Sequence, residues 1–316
     1  MVLLPLDEEL RKLRMEGVRS ENIFSELTTA WYDYSLAEEL YHKGAYCWVI
    51  EAAYYSALHS LRALVHTSIK LTEYFVNNVL KIPPKFKSHA KFIELLLKCD
   101  KLAGKEVEEE IISDVINTLN LDADFLKKLG TALKAIKAAR EIHVYQHLVV
   151  AHQVRAIPAS YVKDISRLTL NTSFNIVVSC TDIIVNIFLE KIEDNLIKYC
   201  YLRHFIDEFY QFWTLLREEN IEPAENLVKY LNRVENEVTR KIKKLMMIMP
   251  ETDKEKLTKK YDDFIQLHRP VTHFSIFLRE KLSQITDNVA RVLKIFTESD
   301  NLSQSSNFST STQKNA

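Results

Sequence analysis

Four glycines in 316 residues narrow what this chain can fold into more than any other feature of its sequence. Average usage is roughly 7%, and here Gly17, Gly44, Gly104 and Gly130 stand far apart. Glycine-rich phosphate loops need paired glycines, so that backbone N–H groups can close on an anion. Neither a GxGxxG turn nor a GxxxxGK[ST] loop is available to this chain. Hairpins turned on glycine are scarce for the same reason. With seven prolines, 47% hydrophobic and 27% charged residues, the chain reads as globular and mostly helical.

The 42 basic and 43 acidic residues leave a net charge of −1. No global field attracts nucleic acid, so any such contact must come from a local patch. The four cysteines (Cys47, Cys99, Cys180, Cys200) form no CxxC pair. That argues against a zinc knuckle or a disulfide framework and for buried thiols of a cytosolic protein. The N-terminal MVLLPLDEEL has no basic lead, unlike a signal peptide. The longest apolar stretch, 176–189, is interrupted by Asp182 and Asn186 and is too short to span a bilayer. The chain is therefore expected to be soluble and cytoplasmic, with no membrane contact.

Helical periodicity runs through most of the sequence. Leu36, Leu40 and then Ile50, Ala53, Ala57, Leu61 and Leu64 recur at helical steps, giving two helices broken at Lys43-Gly44. Pro83-Pro84 ends the next helical segment, and Ser88 is placed to cap a helix running to about Lys98. Another helix covers 106–119, with Glu106, Glu108, Glu109 and Glu110 in its first turn. Asp122 or Asp124 then caps a long helix that passes Arg140. Pro158 opens a helix over 159–193. Residues 196–219 hold more aromatics than one helix face can carry, and they are read as a packing interface between helical lobes rather than a base-stacking surface. After Pro223, Leu227, Leu231, Val234, Val238, Ile242, Leu245 and Met249 keep coiled-coil spacing, and a last helix repeats it over 278–296. The expected organisation is a lead-in (1–29), a helical domain (30–195), a region of long antiparallel helices (196–298) and a disordered Ser/Asn/Thr-rich tail (299–316).

Residues 138–152 read AAREIHVYQHLVVAH. On a continuous helix, Arg140, His143 and His147 fall at about 0°, 300° and 340°, placing a guanidinium and two imidazoles on one face. An arginine can hold a phosphate through paired hydrogen bonds, and a histidine can move a proton near neutrality. Such a set can deprotonate an RNA 2′-hydroxyl and stabilise the transition state without metal. A zinc site is disfavoured because Val144, not glutamate, follows His143. A plain structural alternative is that these groups cap a helix end. Lys81, Lys85, Lys87, Lys91, Lys98, Lys101 and Lys105 could track an RNA backbone or coat a solvated face. The same holds for Arg240, Lys241, Lys243 and Lys244. His59, His66, His89, His204, His268 and His273 have no recognisable partners and receive no role.

Residues 44–64 (GAYCWVIEAAYYSALHSLRAL) resemble the second helix of HEPN domains. Residues 87–97 (KSHAKFIELLL) resemble the family's basic-His segment, and Arg140-x6-His147 is similar to its R-x(4–6)-H motif. The ordered set spans roughly residues 30–195. The resemblance implies an all-α HEPN-like bundle that often forms a homodimer, with the motif faces meeting in one cleft. It further implies a metal-independent, cofactor-free endoribonuclease of a defence or toxin–antitoxin system, with RNA and an antitoxin-like protein as partners. Carried over by position, Arg140 contacts the scissile phosphate and His147 transfers the proton, with His143 as a further catalytic candidate. Glu141 is auxiliary, and Lys85, Lys87 and Lys91 are the RNA-binding candidates. Many HEPN proteins are non-catalytic, and the alternative expectation is an interaction protein assembled through the bundle and its heptad-like helices.

Overall fold

The computed structural model describes residues 8–78, 81–102, 104–142 and 159–265, and every regular element among them is a helix. These residues belong to one compact unit, with no division near residue 195. Helix α1 (Glu8–His42) already starts inside the expected lead-in. Leu13, Ile23, Phe24 and Leu27 hold it there by burying against several neighbours. Gly44, at φ +76°, turns the chain into α2 (Tyr46–Val65). Its N–H donates to the Tyr41 carbonyl and that of Ala45 to the Leu40 carbonyl, which closes the end of α1. The short connection makes α1 and α2 an antiparallel pair. Small residues of α2 allow a close approach, and the buried Ser56 hydroxyl donates across it to the Ala30 carbonyl at 2.8 Å.

Ser68 caps α3 (Ile69–Asn77), accepting from the Leu71 N–H and donating to Asp114 at 2.6 Å. Pro83 and Pro84 mark the next boundary as expected, with Pro84 opening the single turn α4 (Pro84–Lys87). Ser88 caps α5 (His89–Leu97). Next comes α6 (Val107–Leu119), and Asp122 rather than Asp124 caps α7 (Ala123–Arg140). Helix α7 crosses α5 at Gly130, where a Cβ would stand 2.8 Å from the Leu96 Cβ. Alanine gains roughly 1 kcal/mol over glycine in a helix, yet here it would force α5 away. Gly130→Ala is therefore expected to lower stability by about 1–3 kcal/mol in a denaturant titration. A stabilised variant would mean that the two helices do not meet at this point.

Helix α8 (Ala159–Ile183) continues through a π turn (Ile184–Phe188) and a 3-10 turn (Leu189–Lys191). The span Ser160–Lys191 is 32 residues long and, at a mean hydropathy of 1.6 in its most apolar window, could cross a bilayer by length and composition. This corrects the sequence-based length. Asp182 and Asn186 do not interrupt the helix, because Asp182 accepts from the Tyr230 hydroxyl at 2.9 Å and Asn186 from Lys241 at 3.1 Å. Within the fold, α8 packs on α1, α2 and α7 as a core helix.

Asp194 caps α9 (Asn195–Glu218), the aromatic segment. Its Tyr201, Phe205, Phe209 and Phe212 are buried. Phe205 and Phe212 meet Trp31 edge-on at 5.8 and 5.9 Å, and Tyr201 and Phe205 meet Phe24. The aromatic density is therefore the packing between α1 and α9. Helix α10 (Glu225–Ile248) turns Leu227, Leu231, Val234, Val238 and Leu245 inward and packs on α9, so its heptad-like seam is used within the chain. Arg240, Lys243 and Lys244 are exposed, while Lys241 reaches Glu190 at 2.7 Å and the Val185 carbonyl at 2.9 Å. The short α11 (Glu251–Lys254) and α12 (Leu257–Ile265) complete the described fold. The predicted helix over 278–296 and the tail over 299–316 lie outside the described residues. Cys99, Cys180 and Cys200 are buried and Cys47 is half-buried; burial raises all four thiol pKa values, Cys200 to about 12, so they rest as thiols.

Candidate functional site

Arg140 is the last residue of α7 and is 8% exposed. Its Nε donates to Glu51 at 2.5 Å and its Nη2 to the Tyr55 hydroxyl at 3.3 Å, while the guanidinium lies 4.9 and 5.2 Å from the Tyr54 and Tyr55 ring centres. His143 and His147, the other motif candidates, lie outside the described residues. Glu141 is exposed one residue beyond and pairs with Lys137. Lys85 pairs with Glu106, whereas Lys87 and Lys91 project into solvent on either side of His89 in sequence.

The partners of Arg140 belong to a row that the sequence reading passed over. Along α2, Glu51, Tyr55, His59, Arg62 and His66 recur at steps of four, four, three and four residues, so they share one face of an otherwise apolar helix. The first four are half-buried and form a polar strip; His66 is buried at its end. His89, the first residue of α5, stands 5.7 and 5.9 Å from the Tyr54 and Tyr55 rings. The His59 ring stacks on Tyr55 at 6.3 Å. On the α1 side, His59 Nδ1 is 2.5 Å from Glu26 and its Nε2 is 3.9 Å from Asp33. Arg62 donates to the Phe86 carbonyl at 3.3 Å. Glu26, Arg62 and His66 also border a small cavity closed by Leu71, Ile82, Phe86 and Phe92. His59, His66 and His89, given no role from sequence, are thus placed together.

Charge within this cluster is divided unevenly. Burial raises the Glu26 pKa, but the His59 ion pair, backed by Arg62 and His66, outweighs it and takes the carboxyl down to about 2. Burial disfavours the His59 cation, and Glu26 and Asp33 overcome that to raise its pKa. Burial carries Asp33 up to about 7, with Glu26 adding to the rise and His59 opposing it. Burial, with Arg62 and Arg140 nearby, lowers His89 to about 4; burial and Arg62 do the same to His66. Near neutrality the cluster therefore holds the guanidinium groups of Arg140 and Arg62 and the Glu26 carboxylate beside the neutral imidazoles of His66 and His89 and, at Asp33, a carboxyl that exchanges its proton. The Tyr54 hydroxyl is buried there with no hydrogen-bond partner, and burial raises its pKa. An unsatisfied buried donor costs about 1–3 kcal/mol, which a bound acceptor would recover.

Asp33 has a consequence for stability. An unfolded aspartate titrates near 3.9, so between there and about 7 the folded chain binds more protons at this position than the unfolded chain. Its contribution to stability falls as pH rises through that window and is flat above it. Asparagine has no proton to lose. The Tm of Asp33→Asn should therefore rise relative to wild type between pH 5 and pH 8, and a constant difference would contradict the assigned environment.

Among the described residues the chain is an all-α helical bundle carrying a half-buried Arg/His/Tyr/carboxylate cluster between α1, α2, α5 and α7. No protein-family model, curated protein or solved structure matches the chain.

Proposed function

We propose that this chain is a HEPN-type, metal-independent endoribonuclease that cleaves single-stranded RNA. Arg140 would grip the scissile phosphate, and His147, with His143 close in sequence, would transfer the proton. The observation that carries the reading is the gathering at the end of α7 of Arg140, the neutral imidazole of His89 and the unsatisfied Tyr54 hydroxyl. His89 is in the protonation state of a general base. Lys87 and Lys91 flank His89 in sequence and would meet the RNA backbone. RNA, a second copy of the chain and, in a toxin-type system, a neutralising protein are the partners of this reading, with the cytoplasm as its compartment.

The test is cleavage of single-stranded RNA by the purified chain in EDTA. Cleavage that is lost in His147→Ala and in His89→Asn, with both variants folded, upholds the assignment. Persistent cleavage in His147→Ala removes that residue from it.

A second reading rests on the ion pair itself. Arg140 clamps α7 to α2 through Glu51 and two rings, which fits a non-catalytic interaction bundle. On that reading the folded chain cleaves no RNA and self-associates or co-purifies with a protein partner.

A further inference from the structure

A second polar cluster lies on another side of α1. Glu21 and Glu26 are five residues apart, which turns them about 140° from each other around the axis. Glu21 meets α9, where His204 Nε2 stands 3.2 Å from its Oε2. Glu208, one turn after His204, offers a third ligand atom, and the three atoms lie within 4.8 Å of one another. Ligands bound at about 2.0–2.1 Å around a tetrahedral ion stand roughly 3.4 Å apart, close to the separation of the first pair. We propose that Glu21, His204 and Glu208 bind a divalent first-row transition-metal ion of the zinc class, tying α1 to α9. Sequence spacing assigned no metal to the chain and no role to His204, because one ligand comes from a helix more than 180 residues away.

Three features of the surroundings favour an ion here. The ligands are oriented from behind, as metal ligands are. The Ser20 hydroxyl stands 2.9 Å from His204 Nδ1, and Thr28 donates to Glu208 at 2.9 Å. The imidazole is also fixed edge-on between Phe24 at 5.6 Å and Phe264 at 6.3 Å. An ion would bind the tautomer in which Nδ1–H donates to Ser20 and Nε2 presents its lone pair beside the Glu21 carboxylate. Two carboxylates, a neutral ring and a dication then sum to zero charge. Imidazole beside carboxylate suits zinc-like ions better than calcium or magnesium, which prefer oxygen alone.

The test uses Zn²⁺ alone, titrated into metal-stripped full-length chain against a chromophoric chelator. One equivalent should bind and raise Tm. Glu208→Gln keeps the shape of a half-buried side chain and still accepts from Thr28; it should weaken binding at least about tenfold, and Ser20→Ala by about 10–100-fold. A folded chain that binds no zinc at micromolar concentration overturns the proposal. So does binding that Glu208→Gln leaves unchanged, because the metal would then sit elsewhere. Neither result depends on whether the chain cleaves RNA.

Discussion

Arg140→Met should abolish most RNA cleavage and also destabilise the fold. Removing a preorganised donor to transition-state charge costs about 10²–10³ in rate, and on the proposed reading Arg140 is such a donor. Methionine keeps much of the length and apolar contact with the Tyr54 and Tyr55 rings. It leaves Glu51 without the guanidinium that now neutralises it. Breaking a buried pair from one side costs about 3–5 kcal/mol, and Glu51, still 19% exposed in its side chain, places the loss at or below the lower end of that range. Adding Glu51→Gln removes the stranded charge, so the double variant should regain stability but not activity. Arg140→Lys keeps a charge without the planar fork and should lose nearly as much rate as methionine. Denaturation and single-turnover cleavage, measured on all three variants and the wild type, separate the two effects. A folded Arg140→Met that cleaves at the wild-type rate would remove Arg140 from the chemistry.

The largest purely structural effect is expected at Trp31→Ala, about 3–5 kcal/mol. Trp31 is fully buried where α1 meets α9, edge-on to Phe205 and Phe212, and its indole N–H donates to Thr181 on α8 at 3.3 Å. Alanine would open a cavity shared by three helices and leave Thr181 without that donor. Domains of this kind are stable by only about 5–15 kcal/mol, so the loss is a large share of the total. Tyr210→Ala is the control. It lies on the same aromatic helix but is 58% exposed, and its removal should cost under about 0.5 kcal/mol. Equal losses at the two positions, read from urea midpoints, would mean that α9 does not present this face to α1.

What was legible in the sequence was decided by local chemistry. Ser88 and Asp122 cap helices because each side chain reaches a backbone N–H two or three residues on. Gly44 turns because its φ of +76° suits glycine, and Pro84 opens a turn because it lacks a donor. The start of α1 was hidden because the helix buries more than one face, so its apolar residues keep no single-sided period. The row Glu51, Tyr55, His59, Arg62 and His66 was present as spacing, but its meaning was not. Its partners Glu26, Asp33, His89 and Arg140 come from three other helices and lie up to 89 residues away. Arg140 stands out in the sequence because its residue type is distinctive, whereas its partner Glu51 does not, because nothing local links the two. The aromatic segment over 199–213 was legible as packing, although only the structure identifies Phe24 and Trp31 as the residues it packs on.

Metal-free transesterification at Arg140 is the central proposal. Its most direct test is the cleavage of one single-stranded RNA, and of the same sequence with 2′-O-methyl groups, by the purified chain in EDTA. The predicted result is cutting of the RNA with 2′,3′-cyclic phosphate ends and no cutting of the methylated strand. Cutting of both strands alike, or no cutting of either by the folded chain, would contradict it.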